Sequence, residues 1–306
     1  MRMPLVSLVA TLVACGQKSG SSELGNSPPS VPEIELGPGE PTSSDHLVVD
    51  IVTPALDPDG DRVEYVVSWA VDGEVQPSLN SLTLDRGFTY KGDTWSVEVA
   101  ATDGQLQSES VSAEVVIQNS LPTVSNIVVT PENPTVKDEL RCQFDDPVDL
   151  DNDEVGVMQT WAVNGETLGV EGPLSAPWFV KHNVVECLVY AEDGSDVSEP
   201  SRSEPIEIQN SLPNVIGCSL ADNNPPDDVP LTAVSEGFYD DDGDAEGYRY
   251  VWYIFRDGIE EAVSEESALL PGLMAPGDRV HVECTAWDGE SEGNTVTSGY
   301  GTVIDG

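Results

Sequence analysis

Positive charge is scarce in this sequence. Twelve lysine and arginine residues stand against 56 aspartate and glutamate residues, and the formal net charge is −44. This excess of negative charge opposes binding to nucleic acids and anionic lipid surfaces, which both require a basic footprint. We therefore expect no nucleic-acid partner and regard cations and basic protein surfaces as the natural partners. The alternative is that the acidic surface only keeps the protein soluble in a salty medium.

Histidine and the common catalytic motifs are also scarce. The three histidines are His46, His182 and His281, and the alternation around His281 predicts a place on the solvent face of a strand. No G-x-S-x-G elbow, P-loop, H-E-x-x-H or C-x-x-C motif occurs. Carboxylates are abundant enough for a glycosidase-like acid and base, but such a pair would need a cleft. We predict a protein that is not an enzyme and has no catalytic residues.

Long apolar runs are missing beyond the first fifteen residues. The segment MRMPLVSLVATLVAC has one charge, Arg2, and an apolar stretch too short for an ordinary membrane-spanning helix of about 20 residues. We assign residues 1–14 to a signal peptide. Its end, LVAC, resembles the lipobox of bacterial lipoproteins, which implies that Cys15 is acylated and anchors the mature chain to a membrane. The alternative is an ordinary secretory signal followed by an incidental cysteine.

The lipobox resemblance also implies a location. Gly16, rather than an aspartate, follows the cysteine, which favours an outer-membrane anchor with the chain on the periplasmic or cell-surface side. Residues 15–30 are rich in Gly, Ser and Pro and lack apolar residues, so we predict a flexible tether there.

Three copies of one unit follow the tether. The tetrapeptide NSLP at 119–122 recurs at 210–213, and NSPP at 26–29 is a weaker copy. Tryptophans recur with the same period of about 91 residues, at Trp69, Trp161 and Trp252. We place the three repeats at residues 31–120, 121–211 and 212–306.

Each repeat has the pattern of a β-protein. In YVVSWAVDGEV, residues 65–75, apolar residues alternate with smaller or polar ones before a D-G pair, which is a signal for a tight hairpin turn. The corresponding pairs are D-G at 72–73, N-G at 164–165 and D-G at 257–258. Short alternating strands, about 90 residues and a central tryptophan predict an all-β chain of three tandem sandwiches, with the three tryptophans in the cores.

Four cysteines besides the predicted lipidation site lie in the last two repeats. Three pairings are possible, and only Cys142 with Cys187 and Cys218 with Cys284 keeps each bond within one repeat. An exported protein can keep such disulfides. Loops of 45 and 66 residues would stabilise each domain by roughly 4 kcal/mol on chain-entropy grounds. The first repeat has no cysteine and carries Val97 on the matching strand, so we predict that it is the least stable.

The order of these motifs resembles a known family. The pattern D-x-D-G-D, then Y-x-x-x-W-x-V-D-G, then G-D-x-x-x-V-x-V-x-A-x-D-G, closed by N-S-x-P, is similar to the tandem immunoglobulin-like repeats, akin to PKD and cadherin-type modules, of Gram-negative cell-surface lipoproteins. In the first repeat it is carried by Tyr65, Trp69, Asp72, Gly73, Gly92, Asp93, Asp103 and Gly104. The second repeat departs at 181–183, where KHN replaces the KGD of 91–93. The resemblance implies immunoglobulin-like domains, and it specifies no activity.

Acidic loops recur in phase with the tryptophans. The candidate calcium ligands are Asp57, Asp59, Asp61, Asp149, Asp151, Asp153, Asp240, Asp242 and Asp244. An EF-hand is excluded, because Arg62 and Ser68 take its glycine and glutamate positions in the first repeat. The resemblance to cadherin-like repeats implies calcium that stiffens the junctions, and the alternative is a solvated turn. Three oxygens from one turn are too few for calcium, so a neighbouring loop would have to supply more.

Three functions remain open at this point. The first is a surface spacer, adhesion or protein-interaction stalk, which could project on the order of 100 Å from the membrane and meet a cell-surface protein or polysaccharide. The second is a carbohydrate- or protein-binding module with an exposed aromatic patch. Its candidates are Trp95, Trp178 and Trp287, although Trp178 aligns with Phe88 and Leu273, which indicates a core position. The third is an anchored hydrolase with perturbed carboxylates in one cleft.

Overall fold

A computed structural model describes residues 25–306, which divide into two compact units with the boundary between Ser120 and Leu121. The predicted signal peptide, the predicted lipidation site Cys15 and the tether up to residue 24 lie outside the described residues. The helices found within residues 25–306 are single 3-10 turns, Arg86–Phe88 and Pro271–Leu273. None of them is long and apolar enough to span a bilayer.

The first unit is a sandwich of two antiparallel sheets. Its strands are β1 (Glu33–Gly37), β2 (Leu47–Thr53), β3 (Glu64–Val71), β4 (Glu74–Val75), β5 (Thr83–Leu84), β6 (Thr94–Thr102) and β7 (Val111–Val116). One sheet has the order β1-β2-β5 and the other has the order β4-β3-β6-β7. The inward side chains of both sheets form one hydrophobic core.

The second unit contains two further sandwiches, each with its own core. The strands of the second repeat are β8 (Val128–Thr130), β9 (Arg141–Gln143), β10 (Gly156–Val163), β11 (Glu166–Thr167), β12 (Val184–Glu192), β13 (Ser201–Arg202) and β14 (Ile206–Glu207). Strands β8 and β9 form one sheet, and β11-β10-β12-β13 form the other, with β14 also paired to β12. A single bridge between Leu140 and Leu174 stands where the first repeat has its fifth strand.

The third repeat restores the complete pattern. Its strands are β15 (Gly217–Leu220), β16 (Leu231–Glu236), β17 (Tyr248–Arg256), β18 (Ile259–Ser264), β19 (Ala268–Leu269), β20 (Arg279–Trp287), β21 (Glu292–Thr297) and β22 (Gly301–Thr302). The sheets are β15-β16-β19 and β18-β17-β20-β21, with β22 also paired to β20. In the first and third repeats the first, second and fifth strands therefore face the third, fourth, sixth and seventh. This is an immunoglobulin-like arrangement, and the predicted fold class is confirmed.

The three repeated tryptophans are fully buried in the cores, as predicted. Each indole N–H donates to a backbone carbonyl in the segment that runs between the two sheets. Trp69 donates to Ser81 at 2.8 Å, Trp161 to Gly172 at 2.6 Å and Trp252 to Glu266 at 2.9 Å. A buried N–H without a partner would be costly, so this bond explains how a sandwich core accommodates an indole.

The predicted hairpin turns are present in all three repeats. Asp72, Asn164 and Asp257 have φ values of 50°, 51° and 54°, and the glycine after each also has a positive φ. Two central residues with positive φ define the type I′ turn, whose twist matches that of the flanking strands.

Two disulfides connect the sheets of the last two sandwiches. Cys142 on β9 is bonded to Cys187 on β12, and Cys218 on β15 is bonded to Cys284 on β20. In the first repeat the strand registers place Val49 and Val97, both buried, where the second repeat has its cystine. Within the described residues, the two sheets of the first sandwich are therefore not joined by a disulfide at this position.

His281 differs from its predicted solvent exposure. It points outward from β20 as the alternation requires, but it is buried. Tyr253 stacks on its ring with centroids 4.7 Å apart, and Tyr300 packs against it edge-on at 4.8 Å. Alternation along one strand could not reveal this cover, because it comes from a neighbouring strand and from the loop before β22.

Candidate functional site: acidic loops and the joints beside them

The three acidic loops share one geometry. In the first, the Asp57 Oδ1 atom accepts hydrogen bonds from the backbone N–H groups of Asp59 and Asp61, at 2.8 and 3.1 Å. Asp149 and Asp240 accept the same two bonds in the second and third loops. The first aspartate of each loop therefore organises the turn, which is an architectural role.

The other oxygen of that first aspartate has no hydrogen-bond partner. In each loop the Oδ2 atom, of Asp57, Asp149 or Asp240, is buried and accepts no bond from the protein. A buried carboxylate oxygen without a donor is costly, and a cation or an ordered water removes the cost. Carboxylate oxygens are the ligands that a hard cation such as Ca²⁺ prefers.

The loops differ in how closely their carboxylates converge. Oxygen atoms of Asp149, Asp151 and Asp153 lie within 4.8 Å of one another, and so do those of Asp240, Asp242 and Asp244. Among the described residues, the three aspartates of the first loop do not form such a group. Calcium takes six to eight oxygen ligands, so three carboxylates give a partial site that water or backbone oxygens must complete.

An asparagine–serine pair before the first repeat contacts two loops of that repeat. The side-chain amide of Asn26 donates to Asp103 at 2.7 Å, and the backbone N–H of Ser27 donates to Asp59 at 2.7 Å. We call this pair of contacts the Asn–Ser clamp. The prediction of a flexible tether over 15–30 is therefore wrong for its last residues, because Asn26 and Ser27 are bonded to the first sandwich.

The same clamp joins the second repeat to the third. Asn210 donates to Asp288 at 2.8 Å, and the Ser211 backbone N–H donates to Asp242 at 2.5 Å. At 26–27 and 210–211 the N-S pair thus has the same physical role. The asparagine reaches the D-G loop, and the serine reaches the middle aspartate of the acidic loop. The sequence analysis did not predict this role of the N-S pair. The constant spacing between N-S-x-P, the acidic loop and the D-G loop was the signal that could have shown it.

Aspartates in the D-G loops are held ionised by backbone donors. Asp103 Oδ1 accepts from Leu106 and Gln105, and these bonds lower the pKa of its carboxyl. Burial alone would raise the pKa of Asp288. The bonds from Asn210, and from the backbone N–H groups of the same loop, outweigh burial and lower it.

Lys181 of the second repeat reaches into the third acidic loop. Its ammonium lies 2.5 Å from Asp244 Oδ2, 2.8 Å from Asn210 Oδ1 and 3.1 Å from Glu290 Oε2. The side chain is only 20% exposed. Burial by itself would lower the pKa of Lys181, but the hydrogen bonds to Asp244 and Glu290 dominate and raise it above its usual range.

A second lysine pairs with the same loop. Lys137 forms an ion pair with Asp241, which also accepts a hydrogen bond from the Tyr239 hydroxyl. Burial would raise the pKa of Asp241, whereas the two donors lower it more strongly. The loop at 240–244 is therefore contacted by two lysines that belong to the preceding sandwich.

His182 adds an ionisable imidazole to this joint. It has a φ of 64° where the first repeat has Gly92, at 89°. Its ring nitrogens lie 3.1 Å from Glu207 and 3.0 Å from Glu290, and these carboxylates raise its pKa. The sequence pattern of the second repeat departs from that of the first at this position, where His replaces Gly. The histidine adds a contact across the joint, to Glu290, and keeps the positive φ of the glycine.

The predicted aromatic candidates separate into three cases. Trp95 is buried and packs edge-on against Trp69 in the first core, with centroids 6.2 Å apart. Trp287 is covered by Arg249, whose guanidinium lies 3.9 Å from the ring centroid. Trp178 is 52% exposed, which contradicts the predicted core position.

The alignment of Trp178 with two other apolar residues was correct, but the inference from it was wrong. Phe88 and Leu273 are also exposed, by 51% and 40%. The buried residue in each repeat is the next one along the chain, which is Phe179 in the second repeat. The turn in this segment directs the first of the two neighbouring residues, such as Trp178, toward solvent and the second, such as Phe179, toward the core. The alternation of apolar and polar residues does not predict such a turn.

Comparison with known proteins gives similarity of fold only. No protein-family model matches the chain, and no curated protein matches its sequence. Among solved structures, it is similar to the FN1–FN3 domains of chicken CNTN1, with 12% identity over 89% of this chain and 98% of that one, at a TM-score of 0.24. It is also similar to the three N-terminal domains of the Hoc outer capsid protein of bacteriophage RB49, with 16% identity over 91% and 99%, at 0.29.

A third similar structure is that of the eight N-terminal Ig domains of Down Syndrome Cell Adhesion Molecule. The identity is 12% over 92% of this chain and 37% of that one, at a TM-score of 0.46. Because these scores are below 0.5, we base the immunoglobulin-like assignment on the strand order within each repeat.

Proposed function

We propose that the chain is a non-enzymatic, lipid-anchored surface protein whose sandwiches act as a spacer or adhesion stalk. The observation that supports it most is the joint between the second and third repeats. There the Asn–Ser clamp, Lys137, Lys181 and His182 contact two loops of the next domain. A stalk needs such joints because flexible links would let neighbouring domains collapse on one another.

Small-angle scattering of the mature chain tests the stalk. We expect a maximum dimension on the order of 100 Å, as for domains placed end to end. A radius of gyration of about 19 Å, the value for one compact globule of this length, would contradict the proposal.

The anchor is tested separately at Cys15. We propose acylation there and an outer-membrane location, with the chain on the periplasmic or cell-surface side. Metabolic labelling with an alkyne fatty acid should mark the wild-type protein, and Cys15→Ala should abolish the label and release the chain from the membrane fraction. A Cys15→Ala protein that stays membrane-bound would refute the anchor.

A second candidate role is calcium binding at the acidic loops. It is favoured by the buried Oδ2 atoms of Asp57 and Asp149, and by the convergence of the carboxylates in the second loop. The aspartates of these loops would hold the ion, and its positive charge would offset the buried Oδ2 atoms of Asp57 and Asp149. Calorimetric titration of the full mature chain should show heat at millimolar Ca²⁺ that Asp149→Asn reduces. A wild-type chain without heat or a rise in melting temperature would exclude this role.

Trp178 favours the binding-module alternative in one respect, since an exposed indole can stack on a sugar ring or fill a partner's pocket. A glycan array probed with the wild-type chain and Trp178→Ala would distinguish the two roles. Loss of a saturable signal in the variant alone would support ligand binding by the second repeat.

A further inference from the structure

The charge of the third acidic loop is offset by the repeat that precedes it. Lys181 pairs with Asp244, and Lys137 pairs with Asp241. The chain has only twelve lysine and arginine residues among 306, so the use of two of them at one loop is a large share of its positive charge.

The surroundings of Lys181 match those of a bound cation. An ammonium group has three N–H donors, and the three acceptors around it are Asp244, Asn210 and Glu290. They come from three separate segments: the acidic loop, the linker and the D-G loop. A metal ion held by the acidic loop would need oxygen ligands from the same neighbouring segments.

Burial makes this contact stronger than a surface ion pair. Exposed pairs are screened by salt and contribute little, whereas partly buried ones are screened much less. Among the described residues, removal of the ammonium would leave Asp244 without its cation and Glu290 with His182 as its one remaining ion-pair partner. Uncompensated charge at the partly buried Asp244 is costly.

The first acidic loop has no equivalent neighbour within the described part of its unit. Asp59 accepts from the Ser27 backbone N–H, and both Asp59 and Asp61 are exposed. Within residues 25–120, no lysine or arginine forms an ion pair with Asp57, Asp59 or Asp61, since the nearby Arg62 pairs with Glu64.

We propose that the ammonium of Lys181, together with that of Lys137, takes the place of a metal ion at the third acidic loop and fixes the second repeat to the third without calcium. The biological meaning of this joint rests on the proposed stalk function. The first test of the joint requires neither calcium binding nor an extended chain. Its result therefore does not depend on whether the protein is a stalk or binds calcium at another loop.

The first test is amide hydrogen exchange at Ser211, whose N–H donates to Asp242 across the joint. In the full mature chain, Lys181→Met should speed exchange at Ser211 by about tenfold or more, because the joint opens more often once its central cation is gone. The amides of β10 and β12, within the second sandwich, should keep their protection.

A matched control removes one positive charge elsewhere in the second repeat. Arg141→Met changes net charge equally, but Arg141 pairs with Glu139 in its own sandwich. It should leave exchange at Ser211 unchanged. If Lys181→Met and the double variant Lys137→Met/Lys181→Met both keep wild-type protection at Ser211, the proposal is overturned.

The second test is calcium stoichiometry. Asp244→Asn should bind as many ions as the wild-type chain, because the Lys181 ammonium already offsets the charge of Asp244. A gain of one ion in Lys181→Met, removed again by Asp244→Asn, would support the exchange of one cation for another. An ion bound by the wild-type chain and lost in Asp244→Asn would refute it.

Discussion

The first and third acidic loops have nearly the same sequence and hydrogen bonds, yet their surroundings differ. In both, the first aspartate accepts from the backbone N–H groups two and four residues later. Around the third loop, the preceding sandwich supplies Lys137 and Lys181. The first loop, at 57–61, lies between β2 and β3 and contacts the preceding segment through Ser27. The motif therefore builds the turn, and the neighbouring segment determines how its charge is used.

The cores of the first and second repeats offer a parallel comparison. The second repeat joins its sheets through Cys142 and Cys187, whereas the first has Val49 and Val97 at the same places. The largest effect should follow from exchanging these pairs. Replacing both cysteines by serine should cost the second repeat roughly 4 kcal/mol, since its unfolded chain loses a constraint. Denaturant unfolding followed by near-UV circular dichroism measures this loss.

The reverse exchange sharpens the same comparison. Val49→Cys with Val97→Cys should form a disulfide in the first repeat and stabilise it by about 2 to 4 kcal/mol. In calorimetry of the oxidised chain, the transition of the first unit should be the lowest in the wild type and should rise in the variant. The reduced variant serves as control, and a first unit that melts last in the wild type would contradict the account.

Removal of the clamp asparagines should have an intermediate effect. Asn210→Ala leaves the largely buried Asp288 carboxylate without one donor, and should destabilise the contact by about 1 to 3 kcal/mol. Asn26→Ala removes the same bond from Asp103, which is more exposed, so the loss should be smaller. Exchange rates at Ser211 and Ser27 measure the two losses. If both substitutions cost the same free energy, the deeper burial of Asp288 would not explain the strength of its bond to Asn210.

The smallest effect should be the response of the second joint to pH. Glu207 and Glu290 raise the pKa of His182 above its unfolded value of 6.5, so protonated His182 stabilises the folded chain. This stabilisation is complete below pH 6.5 and is lost as the pH rises through the higher folded pKa. Asparagine tolerates positive φ, so His182→Asn should not strain the backbone. The variant should lower the melting temperature of the second unit at pH values below 6.5, and it should have no effect at pH values above the folded pKa of His182. A constant difference across the range would contradict this.

The sequence predicted the features that follow from local pattern. Alternation and turn pairs gave the all-β class and the type I′ hairpins, and the spacing of about 91 residues gave the repeats. The buried state of Trp69, Trp161 and Trp252 followed from their place in alternating strands. Cysteine positions led to pairs that the structure contains.

What could not be predicted depends on contacts between distant segments. The exposure of Trp178 depends on one turn, and the burial of His281 depends on Tyr253 and Tyr300. The role of Lys181 depends on the approach of a loop more than sixty residues later, at Asp244. The repeat places Lys181 at the same position as Lys91, but it does not show which loop the side chain contacts.

The most direct test of the account is a crystal structure of the mature chain grown in millimolar calcium, with anomalous scattering used to locate the ion. We expect the Lys181 ammonium within about 3 Å of Asp244 and no anomalous peak among Asp240, Asp242 and Asp244. An ion at these three aspartates, with Lys181 turned away from them, would contradict the claim that the neighbouring repeat supplies the cation of the third loop.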